Sequence, residues 1–297
     1  MNIPTLRQLK YLVTLMETRH FGRAAQQCLV TQPTLSSGIQ ELEALLGVKL
    51  FERNKRTVIP TVIGLEMAER AQTVMQQVED IVELSHKGSD PLSGTLRLGA
   101  IPTVGPFLLP RVLPHLREQY PNLKLYLRED QTAHLLEQLS AGVLDVLILA
   151  LPYDLHNARS TIVGDDPFYV ALPKEHPLAS KKVLRHEEIP EAEILLLEEG
   201  HCLREHALAA CSLSGSKGKE EVKGTSLYTL VQMVASGLGI TFVPAMARYS
   251  DILKSADVVT VPMEKNAIPR KIGLVWRRTS ARDAEFRLLA NLIKSIW

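Results

Sequence analysis

The chain is 297 residues long, more than one ordinary small domain needs and suited to two or three compact units. Hydrophobic residues make up 45% and charged residues 23%, a balance that excludes a disordered chain and supplies enough apolar surface for filled cores. No apolar run reaches the roughly 18–20 residues that cross a bilayer, and the segment Met1–Arg7 lacks the basic-then-apolar layout of a secretory signal. No membrane association and a cytoplasmic location are therefore expected.

The net charge of +1 hides an uneven distribution. Residues 1–60 hold eight Lys/Arg against four acids, whereas residues 61–90 hold two against six. A basic excess on a small first segment is the footprint of a polyanion binder. Three cysteines are too few for a disulfide scaffold and fit a reducing compartment. They lack C-x-x-C spacing and the histidines are scattered, so neither a metal site nor a cofactor is expected.

In chain order, residues 5–19 read as an amphipathic helix, with Leu6, Leu9, Leu12, Val13 and Met16 at helical spacing. Phe21–Cys28 forms a short second helix carrying Ala24-Ala25, with Cys28 expected in the core as a small hydrophobe. Thr31 caps a third helix that places Leu35, Ile39, Leu42, Leu45 and Leu46 inward, and Gly47 ends it. Lys49–Pro60 mixes apolar and basic residues and suits a small β-wing. From Thr61 to about His86 apolar residues recur every three or four positions without a proline, which predicts one long helix that pairs with a partner helix. Lys87-Gly88-Ser89-Asp90-Pro91 follows as a hinge.

Beyond the hinge, strands are expected at Leu96–Ile101, Leu123–Arg128, Val146–Leu151, Phe168–Leu172, Ile194–Leu197, Ile240–Val243 and Ile272–Val275. Helices are expected at Phe107–Tyr120, Ala133–Gly142, Ser226–Gly237 and Ala281–Ile296. This alternation predicts an α/β fold with a mainly parallel sheet. The expected division is residues 1–60 as a winged helix-turn-helix, 61–90 as linker helix and hinge, and 91–297 as a second, α/β domain.

In a helix-turn-helix the second helix enters a major groove while the first braces the phosphate backbone. Here the turn is Leu29-Val30 and the entering helix opens Thr31-Gln32-Pro33-Thr34, with proline where no amide donor is needed. Gln32, Thr34, Ser36, Ser37 and Gln40 carry hydroxyls and amides able to reach base edges. Arg53, Lys55 and Arg56 on the wing suit phosphate contacts, which position a protein without reading sequence. The competing explanation is a small helical bundle with a polar face.

Ala24-Ala25, Thr31-Gln32-Pro33-Thr34, Leu35-Ser36, Ile39, Leu42-Glu43, Leu46-Gly47 and Leu50-Phe51 with Arg53 resemble the signature of LysR-type transcriptional regulators. One departure is Cys28, where that family usually carries leucine. The resemblance implies double-stranded operator DNA as partner and a dimerising linker helix. It also implies a two-lobed effector domain like a periplasmic binding protein, a homotetramer built as a dimer of dimers, and contact with RNA polymerase.

Gly200-His201-Cys202-Leu203-Arg204 followed by Cys211 is similar to the peroxide-sensing members of that family. Further similar stretches are Ile101–Pro106, Gln131-Thr132 and Thr225–Leu227. Hydrogen peroxide is the signal so implied, with Cys202 as peroxidatic and Cys211 as resolving thiol, a reversible disulfide between them, and a glutaredoxin- or thioredoxin-type reductant. Control of antioxidant genes follows from the same resemblance, as does a peroxide-binding role for Thr103 and Thr132 with His201 nearby, and an approach of Arg270 to the thiol. The residues themselves point the same way: a thiolate is the nucleophile toward peroxide, and the cationic neighbours His201 and Arg204 are expected to lower the pKa of Cys202. Two alternatives stay open. One is a metabolite-responsive regulator with incidental cysteines; the other is a thiol peroxidase, against which the basic DNA-reading segment argues.

Overall fold

The computed structural model describes residues 3–53, 58–85, 91–210, 223–224, 226–264 and 269–297. The chain divides into two compact units, Met1–Ser89 with Ser140–Val143, and Asp90–Leu139 with Leu144–Trp297. The expected hinge falls almost entirely outside the described residues.

The first unit begins with α1 (Leu6–Thr18), α2 (Phe21–Gln27) and α3 (Gln32–Leu46). Each start is locally encoded. Thr5 and Gln8 form a reciprocal capping box on α1, the His20 ring accepts the Gly22 and Arg23 amides at the start of α2, and the Thr31 hydroxyl accepts the Thr34 amide. Gly47 ends α3 in the left-handed region at φ +68°, as its position predicts. Tyr11, Leu12, Leu15, Ala24, Ala25, Leu35, Ile39 and Leu42 form the core. Cys28 is only half-buried and caps α2, so it lies at the edge of that core rather than inside it.

The wing is β1 (Phe51–Arg53) paired antiparallel with β2 (Val58–Pro60). Its base is tied to α3 by the buried Glu43, whose carboxylate accepts the Leu50 and Phe51 amides at 3.0 and 3.3 Å. Then α4 (Val62–Ser85) runs as the long helix the periodicity predicts. Among the described residues no helix is long and apolar enough to cross a membrane.

The second unit holds two hydrophobic cores, one per lobe. The first lobe contains β3 (Gly94–Ala100), α5 (Gly105–Gln119), β4 (Leu123–Glu129), α6 (Thr132–Ser140), β5 (Val146–Leu151) and β6 (Ala158–Asp166). The chain then crosses to β7 (Phe168–Pro173), β8 (Leu196–Leu197), α7 (Cys202–Ala210), β9 (Lys223–Gly224), α8 (Leu227–Ala235), β10 (Thr241–Pro244), α9 (Asp251–Lys254) and β11 (Val258–Pro262). It returns through β12 (Arg270–Arg277) and α10 (Asp283–Ile296) to the first lobe.

The expectation of a mainly parallel sheet is corrected. In the five-stranded sheet, ordered β4-β3-β5-β12-β6, only β3 pairs parallel, with β4 and β5; β12 runs antiparallel to both β5 and β6. The three-stranded sheet β10-β7-β11 is antiparallel throughout. The returning strand enters the first lobe from the second, so it runs against its neighbours. The sequence reading also missed β6, β11 and the two-residue β9. Charged and polar residues interrupt β6, whose first part is exposed at a sheet edge, so it lacks an apolar run to announce it.

Candidate functional site

Two constellations match the sequence expectations. On α3, Leu35, Gly38, Ile39, Leu42 and Glu43 face inward, which leaves Gln32, Pro33, Thr34, Ser37 and Gln40 exposed and Ser36 half-buried. A Cβ on Gly38 would stand 2.7 Å from the Tyr11 ring, so α1 and α3 cross at close range and the outward face of α3 is held rigidly. The Thr31 and Thr34 hydroxyls bond each other at 2.8 Å, and Ser37 donates to Glu41 at 3.0 Å. These three are partly committed to the helix, whereas Gln32 and Gln40 present their amides on its exposed side. The turn residue Leu29 is 92% exposed at φ +56°, a conformation that favours glycine. The Arg53 backbone lies in β1; its side chain, with Lys55 and Arg56, lies outside the described residues.

The second constellation forms where three strand-to-helix junctions of the second unit converge. Thr103 lies in the turn from β3 to α5, Thr132 opens α6 after β4, and Gly200-His201-Cys202 leads from β8 into α7. Crevices beyond the carboxyl ends of strands are the usual ligand positions in α/β folds. Ile101, Pro102, Thr103, Gln131, Thr132, Gly200, His201 and Cys202 enclose a cavity of ≈ 10 Å³, about the room that one water-sized molecule needs.

Cys202 is 5% exposed and is the first residue of α7. Burial raises its pKa above the ordinary thiol value, opposed by the Arg270 charge, the Thr132 hydroxyl and the backbone amide at the helix start; Glu205 adds to the rise. The expectation that His201 and Arg204 would lower it is corrected. Burial lowers the His201 pKa and favours the neutral ring, while the Arg204 guanidinium donates to the Leu197 carbonyl at 3.3 Å. The cation that acts on the sulfur is Arg270.

Arg270 is fully buried and held by four contacts. Its Nε and Nη2 reach Asp166 Oδ2 at 2.8 and 2.7 Å, Nη1 donates to Thr103 Oγ1 at 2.9 Å, and Nη2 donates to the Thr103 carbonyl at 2.8 Å. Because Thr103 Oγ1 accepts from Arg270, its own proton remains available to donate. Thr132 is 1% exposed and does not cap its helix. Its hydroxyl lies near enough to the sulfur to favour the thiolate, yet makes no hydrogen bond of ordinary geometry. The cavity is thus lined by a thiol, an orphan hydroxyl and a polarised one.

Sequence reasoning missed Asp166, which no motif marks, and His206, one turn along α7 from Cys202. The His206 Nε2 lies 2.9 Å from the Pro152 carbonyl while Nδ1 is buried without a partner. Helical spacing of four residues could have flagged His206. Cys211 and Thr225 lie outside the described residues. No group of three or more His, Cys, Asp or Glu is placed to hold a metal ion among the described residues. A separate, open groove of ≈ 820 Å³ is lined by Phe107, Arg111, Met246, Tyr249 and Trp297, among others.

Comparison with known proteins places these features in a lineage. The chain is 40% identical over 294 residues to the HTH-type transcriptional regulator EstR of Acinetobacter baylyi, covering 99% of this chain and 97% of that one. It is 41% identical over 290 residues to the hydrogen peroxide-inducible genes activator of Escherichia coli, covering 98% and 95%. Among solved structures, full-length OxyR of Pseudomonas aeruginosa, in a cysteine-to-aspartate variant, superposes with a TM-score of 0.82 at 37% identity over 98% of both chains. Residues 6–65 match the bacterial regulatory helix-turn-helix protein, lysR family, and residues 89–297 match the LysR substrate binding domain. With both of its halves matched and full-length relatives at this identity, the chain belongs to the LysR family of bacterial DNA-binding transcriptional regulators.

Proposed function

We propose that this regulator responds to hydrogen peroxide through Cys202, with residues 1–60 reading operator DNA, 61–90 acting as dimerising linker and 91–297 as sensor. The observation that carries this is the small cavity in which Cys202 meets the unpartnered Thr132 hydroxyl and the Arg270-bound Thr103 hydroxyl. A buried hydroxyl without a partner is costly and marks a place for a small polar guest. The relative named as a peroxide-inducible activator supports the same reading.

The chemistry uses only what the pocket holds. The Cys202 thiolate attacks one peroxide oxygen, the O–O bond breaks, and the departing oxygen leaves as hydroxide that takes up a proton. Thr103 and Thr132 hold peroxide in line and stabilise the leaving oxygen by donating hydrogen bonds. Cys202 becomes a sulfenic acid. The Cys211 thiolate then attacks that sulfur, a disulfide forms, and the sulfenic oxygen leaves as hydroxide that takes up a proton to become water. In sum, two thiols and one peroxide become one disulfide and two waters, and a glutaredoxin- or thioredoxin-type dithiol restores the resting state.

The disulfide requires refolding. From Cys202 to Ala210, α7 rises about 12 Å at roughly 1.5 Å per residue. One further residue spans about 3.8 Å, so the bridge, which needs Cα atoms within about 7 Å, cannot close while α7 stays helical to Ala210. Unwinding α7 is the switch. Repacking of a tetramer, altered spacing of its DNA-binding domains and a changed contact with RNA polymerase follow in this reading, with antioxidant genes as targets and the cytoplasm as location.

A second reading, a metabolite-responsive regulator, has the open groove beside Tyr249 in its favour and is compatible with the equally similar EstR. The two separate on one experiment. Non-reducing mass spectrometry and DNA footprinting before and after brief peroxide exposure should show a Cys202–Cys211 disulfide and a changed footprint, both lost in Cys202→Ser. A footprint that still changes with peroxide in Cys202→Ser refutes the sensor role.

A further inference from the structure

We propose that Asp166 is a positioning residue for the redox chemistry, acting through Arg270: its carboxylate neutralises the buried guanidinium and so restrains the reactivity of Cys202. The proposal rests on Cys202 being the reacting thiol.

Asp166 is the last residue of β6, where the chain leaves the first lobe, and Arg270 is the first residue of β12, where it returns. The two are direct cross-strand partners, so one ion pair joins both crossings. Their side chains are 1% and 0% exposed. Asp166 Oδ2 takes two guanidinium contacts at 2.8 and 2.7 Å, while Oδ1 accepts the Met246 amide at 3.0 Å. The carboxylate is therefore fixed from both sides and cannot swing away. On its far side the guanidinium reaches Thr103, which lines the Cys202 cavity.

A buried cation needs an anion. Two candidates lie near Arg270: the Asp166 carboxylate, which touches it, and the Cys202 thiolate, which feels its charge across Thr103 and the cavity. While Asp166 holds the guanidinium, the pull of Arg270 on the Cys202 thiolate is weakened. The other groups facing the thiol do not replace this control. Glu205 and Tyr153 oppose the thiolate, and burial favours the neutral rings of His201 and His206. With Asp166 made neutral, Cys202 becomes the remaining counter-ion for Arg270.

The test follows alkylation of Cys202 by iodoacetamide in the full-length chain, read by peptide mass spectrometry between about pH 6 and 11. In Asp166→Asn the midpoint should fall by about one pH unit, giving about tenfold faster alkylation and peroxide oxidation at pH 7. An unchanged or higher midpoint overturns the proposal, and so does an equal fall in the double variant Asp166→Asn with Arg270→Gln, since loosened burial alone would lower the midpoint without the arginine. Should that variant fail to fold with its arginine unpaired, the double variant Asp166→Asn with Arg270→Gln carries no buried charge and decides the matter. Its midpoint should rise by less than about half a unit, because Asp166 cancels most of the Arg270 charge as seen from the sulfur. A rise of a full unit would show Arg270 acting unneutralised and overturn the proposal. Alkylation does not involve peroxide, so if peroxide leaves wild-type Cys202 untouched while these midpoints hold, the sensor reading fails and the role of Asp166 stands.

Discussion

Gly200 and Gln131 are in contact beside the Cys202 cavity: a Cβ on Gly200 would stand 2.5 Å from Gln131 Oε1, and the Gly200 backbone lies at φ +93°. Only glycine meets both demands without strain. The residue that leads into α7 is therefore selected by the side chain opposite it, and both line the space beside Cys202.

Gly200→Ala should displace Gln131 into the cavity. The left-handed backbone adds a cost of about 1–2 kcal/mol for any side chain. The expected outcome is a destabilised second unit in urea unfolding, together with slower peroxide oxidation of Cys202. Normal oxidation kinetics at reduced stability would show that the cavity wall does not shape access.

Burial sets the sign of the pH dependence. The folded state keeps the Cys202 thiol protonated beyond the ordinary value of about 8.5. Above that value the unfolded chain loses the proton and the folded chain retains it, so this contribution to stability is present below about pH 8.5 and declines as pH rises further. The oxidation rate, which follows the thiolate, should climb about tenfold per unit from pH 6 to 8. Stopped-flow kinetics showing a plateau already at pH 6 would contradict this.

Glu43 is the hinge pin of the wing. Glu43→Ala leaves the Leu50 and Phe51 amides without their buried acceptor, at a cost of about 2–4 kcal/mol. Glu43→Gln retains an acceptor and should cost less. Thermal unfolding ranks the variants, and loss of DNA affinity should follow the same order.

In the proposed reading, DNA recognition divides between α3 and the wing. Gln32→Ala should weaken binding to the operator while leaving binding to random DNA nearly unchanged. Arg53→Ala and Arg56→Ala should weaken both and each reduce the salt slope by about one unit. Anisotropy titrations at several salt concentrations distinguish them; the assignment fails if Arg56→Ala changes sequence preference and Gln32→Ala does not.

Local chemistry was enough to read the first unit. Thr31 and Gly47 bound α3 to the residue because capping and termination depend on hydrogen bonds and dihedrals within a few positions. The recurrence of apolar residues every three or four positions from Thr61 marked α4, whereas α7 was not among the helices expected from sequence. The antiparallel return of β12 was invisible, because strand direction in a sheet depends on where the chain comes from in space and leaves no local trace.

The sequence by itself determined the family and the helices of the first unit, and it singled out the cysteine at the pocket. The tertiary structure alone decided what surrounds that cysteine. The expected cations were its neighbours in sequence, yet Arg204 turns to a backbone carbonyl and burial leaves His201 neutral, while the acting charge comes from Arg270, sixty-eight positions away and already held by Asp166. The reason is physical: a pKa depends on burial and on charges at close range in space, and sequence spacing controls neither once the chain has crossed between two lobes.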